Sequence, residues 1–547
     1  MQVLLAQLAA SRVEIWLAQG ALRYRAPKQA MTAELLAELK ANKQALIKHL
    51  KDLEQQPFPL TYGQRALWFL HQTAPESAAY NVAFSANIFS DINQTVFTEA
   101  LTYLHNRHPA LRFRFKDNAG QPEQFIVDSS EVDFDLIVAE GWSDEDLDAA
   151  VKLKYTQPFN LNDQQAPFRV RLFKRSQQAY LLLMVFHHIV GDGWSLWLIL
   201  EELAQIYASL IQGQDPKLAS SPAAYKKFAL AQVARVKSGE VEQDWVYWRD
   251  KFSTPPALLN LPVKRPFPAQ RSYQGKSAAI RIDNKKVARL KILAAEQGVT
   301  LYTLLLATYQ LLLHRCSGQH QVCVGTPLAG RDDDAYSSVV GYFVNPLPLL
   351  SEVNAQSTVS DFIKASRQEV LSAMRHQGFP LPLVLERLPL DRDSSRPPLF
   401  QAAFVFQQLQ KAQQLLDVNS SEQAGDKVVD WGGLKLAPHT LHQQEGQFDL
   451  SLELMEAGSD LIGSLKFNTD VFDLSDGQRL VDYYLNILDA LPEYLDENIH
   501  DLPLLNADYQ QQLLVDWNAT QHSYPDSLVP SLLSEQAAKT PDNIALV

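Results

Sequence analysis

The sequence predicts a mixed α/β protein with more than one packed core. Strand-length apolar runs such as residues 180–186 alternate with helix-length patterns such as residues 194–210 and 285–297. The 547 residues are 46% hydrophobic and 20% charged, which is ordinary globular composition and enough for about three or four units. A proline-bounded stretch at 220–222 divides the long region in two, and residues 407–427, rich in Gln, Asp and Ser, predict an exposed insertion.

The composition excludes several classes of protein. A formal net charge of −13 argues against nucleic-acid binding, because phosphate affinity needs a basic surface. Two cysteines, Cys316 and Cys323, are too few for a disulfide framework and predict buried free thiols. The first 16 residues lack a basic region and break their apolar run with Gln7, Ser11 and Arg12, unlike a signal peptide. No stretch approaches the roughly 20 apolar residues that cross a bilayer. We therefore expect a cytoplasmic protein with no membrane span.

The first 53 residues predict a domain of their own, in the order helix, strand, strand, helix. Residues 13–17 and 22–24 alternate apolar and polar side chains, which is typical of two strands. Gln19-Gly20 between them predicts a hairpin turn, because glycine adopts positive φ without steric cost. Leucines at helical spacing predict the second helix over residues 32–50.

This domain also differs in charge from the rest of the chain. Residues 1–54 carry eight Lys or Arg against five Asp or Glu, a net charge of +3, which leaves −16 for the remainder. A basic hairpin edge is suited to an acidic peptide that adds as a strand, although such charges also occur on solvated helix surfaces. The domain resembles the tubulysin-type N-terminal docking domain of peptide-synthetase and hybrid polyketide assembly lines. The resemblance implies binding to the C-terminal tail of an upstream protein.

The strongest candidate for chemistry is the run His187-His188-Ile189-Val190-Gly191-Asp192-Gly193, between a buried strand and a helix that begins near Trp194. Imidazole exchanges a proton near neutral pH, Asp192 can cap the helix, and Gly193 permits close approach of a substrate. A hydrogen-bonded structural histidine and a metal site are the alternatives. Adjacent residues on an extended strand point to opposite faces, so at most one of the two histidines faces a given site.

The run resembles the active-site motif of nonribosomal peptide synthetase condensation domains, in the chloramphenicol-acetyltransferase-like superfamily. Further stretches resemble the other family motifs in their expected order, at residues 60–70, 107–115, 225–229, 340–346, 376–380 and 392–399. The resemblance spans about residues 58–505. It implies an α/β fold with two similar lobes in a V-shaped pseudo-dimer, residues 58–230 and 231–505, and an active site at their junction.

The resemblance also implies residue roles. His188 lies beside the attacking amine, where it orients the nucleophile, accepts its proton or stabilises the tetrahedral intermediate. His187 is packed into the structure, and Asp192 braces the loop with Arg331 as its partner. The residues expected near the substrate are Gly193, Trp194, Tyr342 and Asn345. Those expected to support the fold are Arg65, Arg112 and Arg396.

The sequence departs from the family pattern in two ways. Lys227 precedes the Phe228-Ala229 pair, where the family has an acid, which puts any ion pair there in doubt. Residues 346–350 read Pro-Leu-Pro-Leu-Leu instead of Thr followed by small residues and Arg, and Gly63 stands in the first motif. We interpret these residues as features of starter domains that take a fatty-acyl or polyketide-type donor. An ordinary peptidyl donor from an upstream carrier is the alternative.

The resemblance implies that an amide forms between an acyl thioester and a carrier-bound aminoacyl group, without a metal or an intrinsic cofactor. Phosphopantetheine comes with the partner carrier domains, or the donor arrives as acyl-CoA. Residues 517–547 resemble the linker into an adenylation domain, so we interpret 506–547 as a linker and the truncated start of that domain. We expect a monomer that works with downstream adenylation and peptidyl carrier domains.

Four other functions compete with amide formation. A heterocyclisation domain carries aspartates in place of the histidines, and an epimerisation domain usually lacks the Gly-Trp-Ser that follows Asp192. A plant-type acyltransferase has an Asp-Phe-Gly-Trp-Gly motif that this sequence lacks. A scaffold without catalytic activity stays open, although an intact His188 argues against it.

Overall fold

The computed structural model describes residues 2–546 with gaps at 19–20, 29, 128–130, 163–164, 220–223, 355, 391–392, 394, 408–427, 440, 442–445 and 525. Several predicted features lie outside the described residues: the turn at Gln19-Gly20, the boundary at 220–222, Arg392 of the last motif, and the insertion after Gln407. The chain forms two compact units, Met1–Leu502 and Pro503–Val547.

The N-terminal unit, residues 2–55, has the predicted hairpin between helices, but the helix after it is divided. Its elements are α1 (Gln2–Ala10), β1 (Glu14–Ala18), β2 (Ala21–Arg25), α2 (Ala33–Ala41) and α3 (Lys43–Gln55). The side chain of Thr32 caps α2, and Asn42 leaves helical geometry at φ −98° and ψ 10°. The single helix predicted over 32–50 is therefore wrong at Asn42. The unit has its own core, formed by Leu4, Leu8, Val13, Leu35, Leu39 and Leu46.

The first lobe begins after this unit and is built mainly from residues 58–237. Its elements are β3 (Phe58–Pro59), α4 (Tyr62–Thr73), β4 (Asn81–Ile88), α5 (Gln94–Arg107), β5 (Phe113–Asn118), β6 (Gln121–Ile126), β7 (Asp133–Val138), α6 (Asp144–Tyr155), β8 (Phe168–Ser176), β9 (Ala179–His187), α7 (Gly193–Ile211) and α8 (Tyr225–Lys237). β9 is buried along Tyr180–Phe186, as its continuous apolar sequence requires of a central strand covered on both faces.

The second lobe repeats this combination of helices and strands. Its segment contains α9 (Glu242–Lys251), β10 (Gly275–Ile282), α10 (Asn284–Glu296), α11 (Leu301–Ser317), β11 (Gln321–Leu328), β12 (Asn345–Glu352), α12 (Val359–Arg375), α13 (Leu381–Arg387), β13 (Ala402–Gln407), β14 (Val429–Trp431), β15 (Leu434–Pro438), β16 (Leu450–Ala457), β17 (Asp460–Asn468) and α14 (Leu474–Tyr494). Its central helix α11 is buried on nearly all sides, which explains its apolar sequence.

Each lobe contains a six-stranded sheet, and two strands from the second-lobe sequence, β14 and β15, belong to the first sheet. The first sheet has the order β14-β15-β4-β9-β8-β7 and the second β10-β17-β16-β13-β11-β12, while β3, β6 and β5 form a small third sheet. β15 pairs with β4, with Leu436 opposite Ile88. A single boundary at residue 230 therefore does not separate the sheets completely, because β14 and β15 lie between the second-lobe strands β13 and β16 in sequence and extend the first sheet.

The second compact unit, Pro503–Val547, has little structure of its own. It contains α15 (Ala507–Gln511), a π-helical turn at Gln512–Asp516 and α16 (Val529–Lys539). No residue of these three elements is buried. The interpretation of 506–547 as a linker and the start of an adenylation domain stays a prediction.

The two cysteines and the one pair of helices with the combined length of a membrane span lie in the second lobe, among the residues that the structure describes. In the described part of the chain, no single helix is long and apolar enough to cross a membrane; α10 and α11 reach that length only together, and they meet at 96°. Cys316 and Cys323 are both free thiols. Burial raises the pKa of Cys316 to about 11, so its thiol stays protonated at neutral pH.

Candidate active site

His187 ends β9 and belongs to the packed interior. Its side chain is 4% exposed, and its Nδ1 accepts a hydrogen bond from the Ile189 N–H at 3.1 Å. The rings of His71, Tyr80 and Phe159 lie within 6.4 Å of its ring. Burial lowers the pKa of His187 to about 3, so the imidazole is neutral. His187 thus holds the turn that carries the next histidine.

His188 turns away from the strand into a short 3₁₀ turn and faces a cavity. Its backbone N–H donates to the carbonyl of Tyr80 at 2.8 Å. Its Nδ1 lies 2.7 Å from the carbonyl oxygen of Gly191. A carbonyl only accepts, so we assign the ring proton to Nδ1, which leaves Nε2 as an acceptor. Burial lowers the pKa of His188, and the neutral form that can accept a proton prevails at pH 7.

The carboxylate of Asp192 ties the two lobes together. It caps α7 by accepting from the Ser195 backbone N–H at 2.8 Å and from the Ser195 hydroxyl at 2.7 Å. From the second-lobe sequence it accepts Nη2 of Arg331 at 3.0 Å and the backbone N–H of Phe343 at 3.2 Å. Asp192 is 1% exposed, so these donors replace the water that a buried carboxylate loses. The structure brings together Asp192 and Arg331, the two residues expected to pair.

Arg331 shapes the loop that leads to β12. Its Nη1 donates to the carbonyl oxygens of Tyr336 at 2.6 Å and Val339 at 2.7 Å. The guanidinium carbon lies 4.0 Å from the ring centroid of Phe343. The loop then presents Tyr342, whose ring meets that of His188 edge to face at 5.1 Å. One arginine therefore fixes both the Asp192 brace and the aromatic ring beside the candidate catalytic imidazole.

The cavity that His188 faces, here called the chamber, lies between the two sheets and has a volume of about 1140 Å³. Gly193, Trp194 and Tyr342 line it together with His188, as the sequence predicts. The indole N–H of Trp194 donates to the carbonyl of Ser337 at 2.8 Å, which keeps that ring at the wall. Both lobes contribute to the lining, so the chamber lies where a site at their junction is expected.

One side of the chamber is a row of residues from the second sheet that the sequence did not single out. Gly325, Ala403, Ser451 and Lys466 lie opposite one another across neighbouring strands and line the cavity. Three of them have short side chains, and the ring of Phe400 occupies the space above Gly325. Lys466 forms an ion pair with Glu453 at 3.1 Å, with side chains 26% and 35% exposed. Short-range sequence patterns carry no signal for this row, because its members meet only through strand pairing.

Two of the predicted residues, Asn345 and Arg65, do not line the chamber, and for Arg65 a supporting position is what the sequence predicts. Asn345 does not line the chamber; its amide donates to the Gln377 carbonyl at 2.9 Å and accepts from the Leu381 N–H at 3.0 Å. The side chain of Asn345 therefore holds the start of α13, and the expectation that Asn345 lies near the substrate stays a prediction. Arg65 also lies outside the lining and stacks on the Tyr62 ring at 5.2 Å.

The other motif arginines also support the fold. Arg112 donates to three backbone carbonyls, those of His105, Asn106 and Val127. Arg396 donates to the buried carboxylate of Asp449 at 2.8 Å and 3.0 Å. Among the residues that the structure describes, no group of three or more His, Cys, Asp or Glu side chains could hold a metal ion.

Comparison with known families gives two matches. Residues 54–514 match the condensation domain model, and residues 2–52 match the TubC N-terminal docking domain model. Gramicidin S synthase 2 of Aneurinibacillus migulanus is 31% identical over 494 residues, which is 90% of this chain and 10% of that protein. Malpinin synthetase of Mortierella alpina is 29% identical over 491 residues, 89% of this chain and 6% of that protein. The chain thus spans only a small part of these relatives.

Solved structures share the fold. The holo form of a four-domain nonribosomal peptide synthetase bound to AMP and glycine superposes with a TM-score of 0.82 at 24% identity, over 90% of this chain and 37% of that one. The starter condensation domain of rhizomide synthetase with C8-CoA and Leu-SNAC gives 0.69 at 20% identity, over 83% of this chain and 99% of that one. The fold class predicted from the sequence is confirmed.

Proposed function

The chain belongs to the condensation-domain family, and on that premise we propose that it forms an amide bond in a nonribosomal peptide synthetase. The acceptor amine attacks the carbonyl carbon of an acyl thioester, the C–N bond forms and the C–S bond breaks. The proton lost by the amine ends on the departing thiol. The observation that carries this proposal is a neutral His188, with Nε2 left as an acceptor, at the wall of a chamber between the lobes. There the imidazole accepts or positions the amine proton.

Both substrates arrive as thioesters on phosphopantetheine arms of partner carrier domains, or the donor arrives as acyl-CoA. The related rhizomide synthetase domain is solved with C8-CoA, so a CoA thioester is a reasonable donor to test here. Asp192 and Arg331 keep the loop of His188 in place but do not face the chamber. Their role is positioning, and the reacting atoms meet only His188 and the residues that line the wall with it.

For the donor, we propose a fatty-acyl or polyketide-type chain, as in a starter domain. The apolar side chains of Val405, Phe400 and Pro346 line the chamber and are compatible with an acyl chain. A peptidyl donor is the second candidate, since Ser451 and the ion pair of Glu453 and Lys466 offer hydrogen-bonding groups on the same wall. A long saturated chain beside that pair would desolvate it without replacing its hydrogen bonds.

The N-terminal unit receives the C-terminal tail of an upstream protein in this proposal. Among the described residues its sheet has only two strands, so each strand keeps one edge without a partner strand. Arg23, Arg25 and Lys28 place positive charge on and just after β2. An acidic tail that adds as a third strand would satisfy both the backbone groups and the charge.

The test offers octanoyl-CoA, an octanoyl-loaded acyl carrier and a peptidyl-loaded carrier, each with an aminoacyl-loaded carrier as acceptor, and identifies the products by mass spectrometry. We expect amide product from an octanoyl donor, and exclusive use of the peptidyl donor would refute a starter role. His188→Ala should lower turnover by about 10²–10⁴-fold, with the exposed His320→Ala as the control. Unchanged turnover of His188→Ala with every donor would refute the catalytic assignment.

A further inference from the structure

Helix α8 begins with two lysines, and the first of them contacts the end of the N-terminal unit. Nζ of Lys226 donates to the carbonyl oxygens of Leu53 at 2.5 Å and Gln56 at 2.7 Å, and it lies 4.9 Å from the ring centroid of Phe58. Leu53 is in the last turn of α3 and Gln56 is its C-cap residue. The last carbonyls of a helix have no partner within the helix and favour a cation. Lys226 therefore caps α3 from another helix.

Lys227 makes the second contact, with the hairpin. Its Nζ lies 3.2 Å from Oε1 of Glu14 at the start of β1. The other carboxylate oxygen of Glu14 accepts from Arg25 at 3.1 Å across the hairpin. The sequence departs from the family pattern at this same position, where an acid is expected. An acid at 227 would repel Glu14, whereas a lysine pairs with it, so the charges on α8 and on the hairpin are complementary.

These contacts are polar, and the two bodies they join have separate cores. The core of the N-terminal unit is one cluster, around Leu8 and Leu46, and that of the first lobe is another. The side chains of Lys227 and Glu14 are 61% and 47% exposed. Salt screens the attraction between charges at such a surface, and two charges of the same sign repel each other. Reversing the sign of one partner therefore weakens the contact. A reversed charge at 226 or 227 should therefore weaken the contacts between the N-terminal unit and α8.

The same helix also packs against the loop beside the chamber. The hydroxyl of Tyr225 donates to the carbonyl oxygen of Tyr342 at 2.7 Å, and its ring covers Gly341 so closely that a Cβ there would lie 2.1 Å from it. Tyr342 in turn meets the ring of His188. α8 therefore stands between the N-terminal unit and the wall of the chamber, which gives any protein bound to that unit a defined location relative to the chamber.

We propose that Lys226 and Lys227 form a seat that holds the N-terminal unit on α8 and so fixes the place from which an upstream carrier is delivered. This inference rests on the proposed docking function of the N-terminal unit. In this proposal the N-terminal unit is held against the condensation lobes by charged contacts and does not move freely on its linker. The occupant of the seat is the α3 end and hairpin of this same chain.

Exchange of charges tests the seat directly. Hydrogen exchange of the amides in residues 50–57 is followed by mass spectrometry in the intact chain, at about 50 mM and about 500 mM salt. At low salt, Lys226→Glu and Lys227→Glu should each raise the exchange rate roughly two- to five-fold. The double variant Lys227→Glu with Glu14→Lys should exchange more slowly than Lys227→Glu alone, although it loses the ion pair of Glu14 with Arg25 and so recovers only in part. Lys237→Glu, in the exposed last turn of α8, is the control and should exchange like the wild type.

A kinetic comparison tests what the seat does. An octanoyl-loaded acyl carrier joined to the N terminus of the chain is compared with octanoyl-N-acetylcysteamine, a thioester that diffuses freely. Lys226→Glu and Lys227→Glu should slow turnover of the joined carrier roughly two- to five-fold and leave turnover of the free thioester unchanged.

Three outcomes overturn the seat. The first is a wild-type rate of hydrogen exchange in both Lys226→Glu and Lys227→Glu. The second is no slowing of exchange when Glu14→Lys is added to Lys227→Glu, and the third is an equal loss of turnover with the joined carrier and the free thioester. A joined carrier that is no better than the free thioester in the wild-type chain counts instead against the docking function. In that case the exchange rates still decide whether the seat exists, so the two proposals fail separately.

Discussion

Replacing Arg331 by methionine should destabilise the protein strongly, because it breaks a buried ion pair at the lobe junction. Methionine keeps an unbranched side chain of similar length but removes the cation from Asp192, whose side chain is 2% exposed. A buried carboxylate left without its partner costs about 3–5 kcal/mol. Two further hydrogen bonds, to the carbonyls of Tyr336 and Val339, are lost as well, at about 1 kcal/mol each. Because Ser195 and Phe343 still donate to the carboxylate, the cost of the lost ion pair lies near the lower end of its range. With the two lost hydrogen bonds, we expect a total loss of about 5 kcal/mol in the free energy of unfolding.

A second substitution separates charge from shape. Asp192→Asn keeps the volume and a good N-cap for α7 but loses the negative charge. Alone it should cost about 3–5 kcal/mol, because Arg331, whose side chain is 5% exposed, is left as a buried cation without its carboxylate. When Asp192→Asn is added to Arg331→Met, the buried negative charge that Arg331→Met leaves without a partner is removed. The double variant should therefore be more stable than Arg331→Met by about 1–3 kcal/mol.

The assay is urea unfolding at pH 7, followed by far-UV circular dichroism and tryptophan fluorescence, for the two single variants and the double variant. Arg235→Met is the control, since its ion pair with Glu240 is more than half exposed and should cost less than about 1 kcal/mol. If Asp192→Asn adds its full cost to Arg331→Met, the ion pair is not the interaction that holds the loop. The reasoning is also refuted if Arg331→Met behaves like Arg235→Met.

Three further predictions concern the histidines and one glycine. Burial lowers the pKa of His187 to about 3 and that of His105 to about 4, so the folded state binds fewer protons than the unfolded state below pH 6.5. Stability should be full above pH 6.5 and fall as the pH drops towards 4, and His187→Asn should make urea midpoints less sensitive to pH. The lowered pKa of His188 places the acidic limb of kcat/KM below pH 6.5, and a limb above that pH would contradict a buried neutral base. Gly63→Ala puts a Cβ 2.7 Å from the ring of Tyr342, so kcat/KM should fall several-fold while the unfolding midpoint changes little; an unchanged kcat/KM would show that Tyr342 tolerates displacement.

The active-site loop could be predicted from the sequence because its parts are close together in the chain. The apolar run before His187 requires a buried strand, and Asp192 followed by a helical pattern predicts an N-cap, which the structure has. The pair of Asp192 and Arg331 spans 139 positions, and only the family resemblance predicted it. Asn345 shows the limit of that resemblance, since a motif position near a cavity does not determine which way its side chain points.

Other features were beyond sequence reasoning because they depend on strand order. Nothing local distinguishes β15 from a second-lobe strand, yet it pairs with β4 of the first sheet. The chamber row of Gly325, Ala403 and Ser451 exists only because three strands align in register. The break at Asn42 is a different case, since asparagine and its neighbours are compatible with a continuous helix and the choice is made by packing in the small core around Leu35 and Leu46.

The hydrogen bonds that anchor His188 and the second-sheet row that lines the opposite wall of the chamber come from different lobes, although Tyr342 of the second lobe also touches the imidazole ring. The backbone and ring anchors of His188 are the carbonyls of Tyr80 and Gly191, and both belong to the first lobe. Gln64, also in the first lobe, donates to the carbonyl of Ile189 and holds the same turn. The row of small and charged residues opposite comes entirely from strands of the second sheet. Since the two sets share no hydrogen bond among the described residues, changes in the second-sheet row should alter which acyl chain is accepted without moving the imidazole. We therefore propose that the donor chain is selected by the second-sheet row, which lies outside the histidine motif.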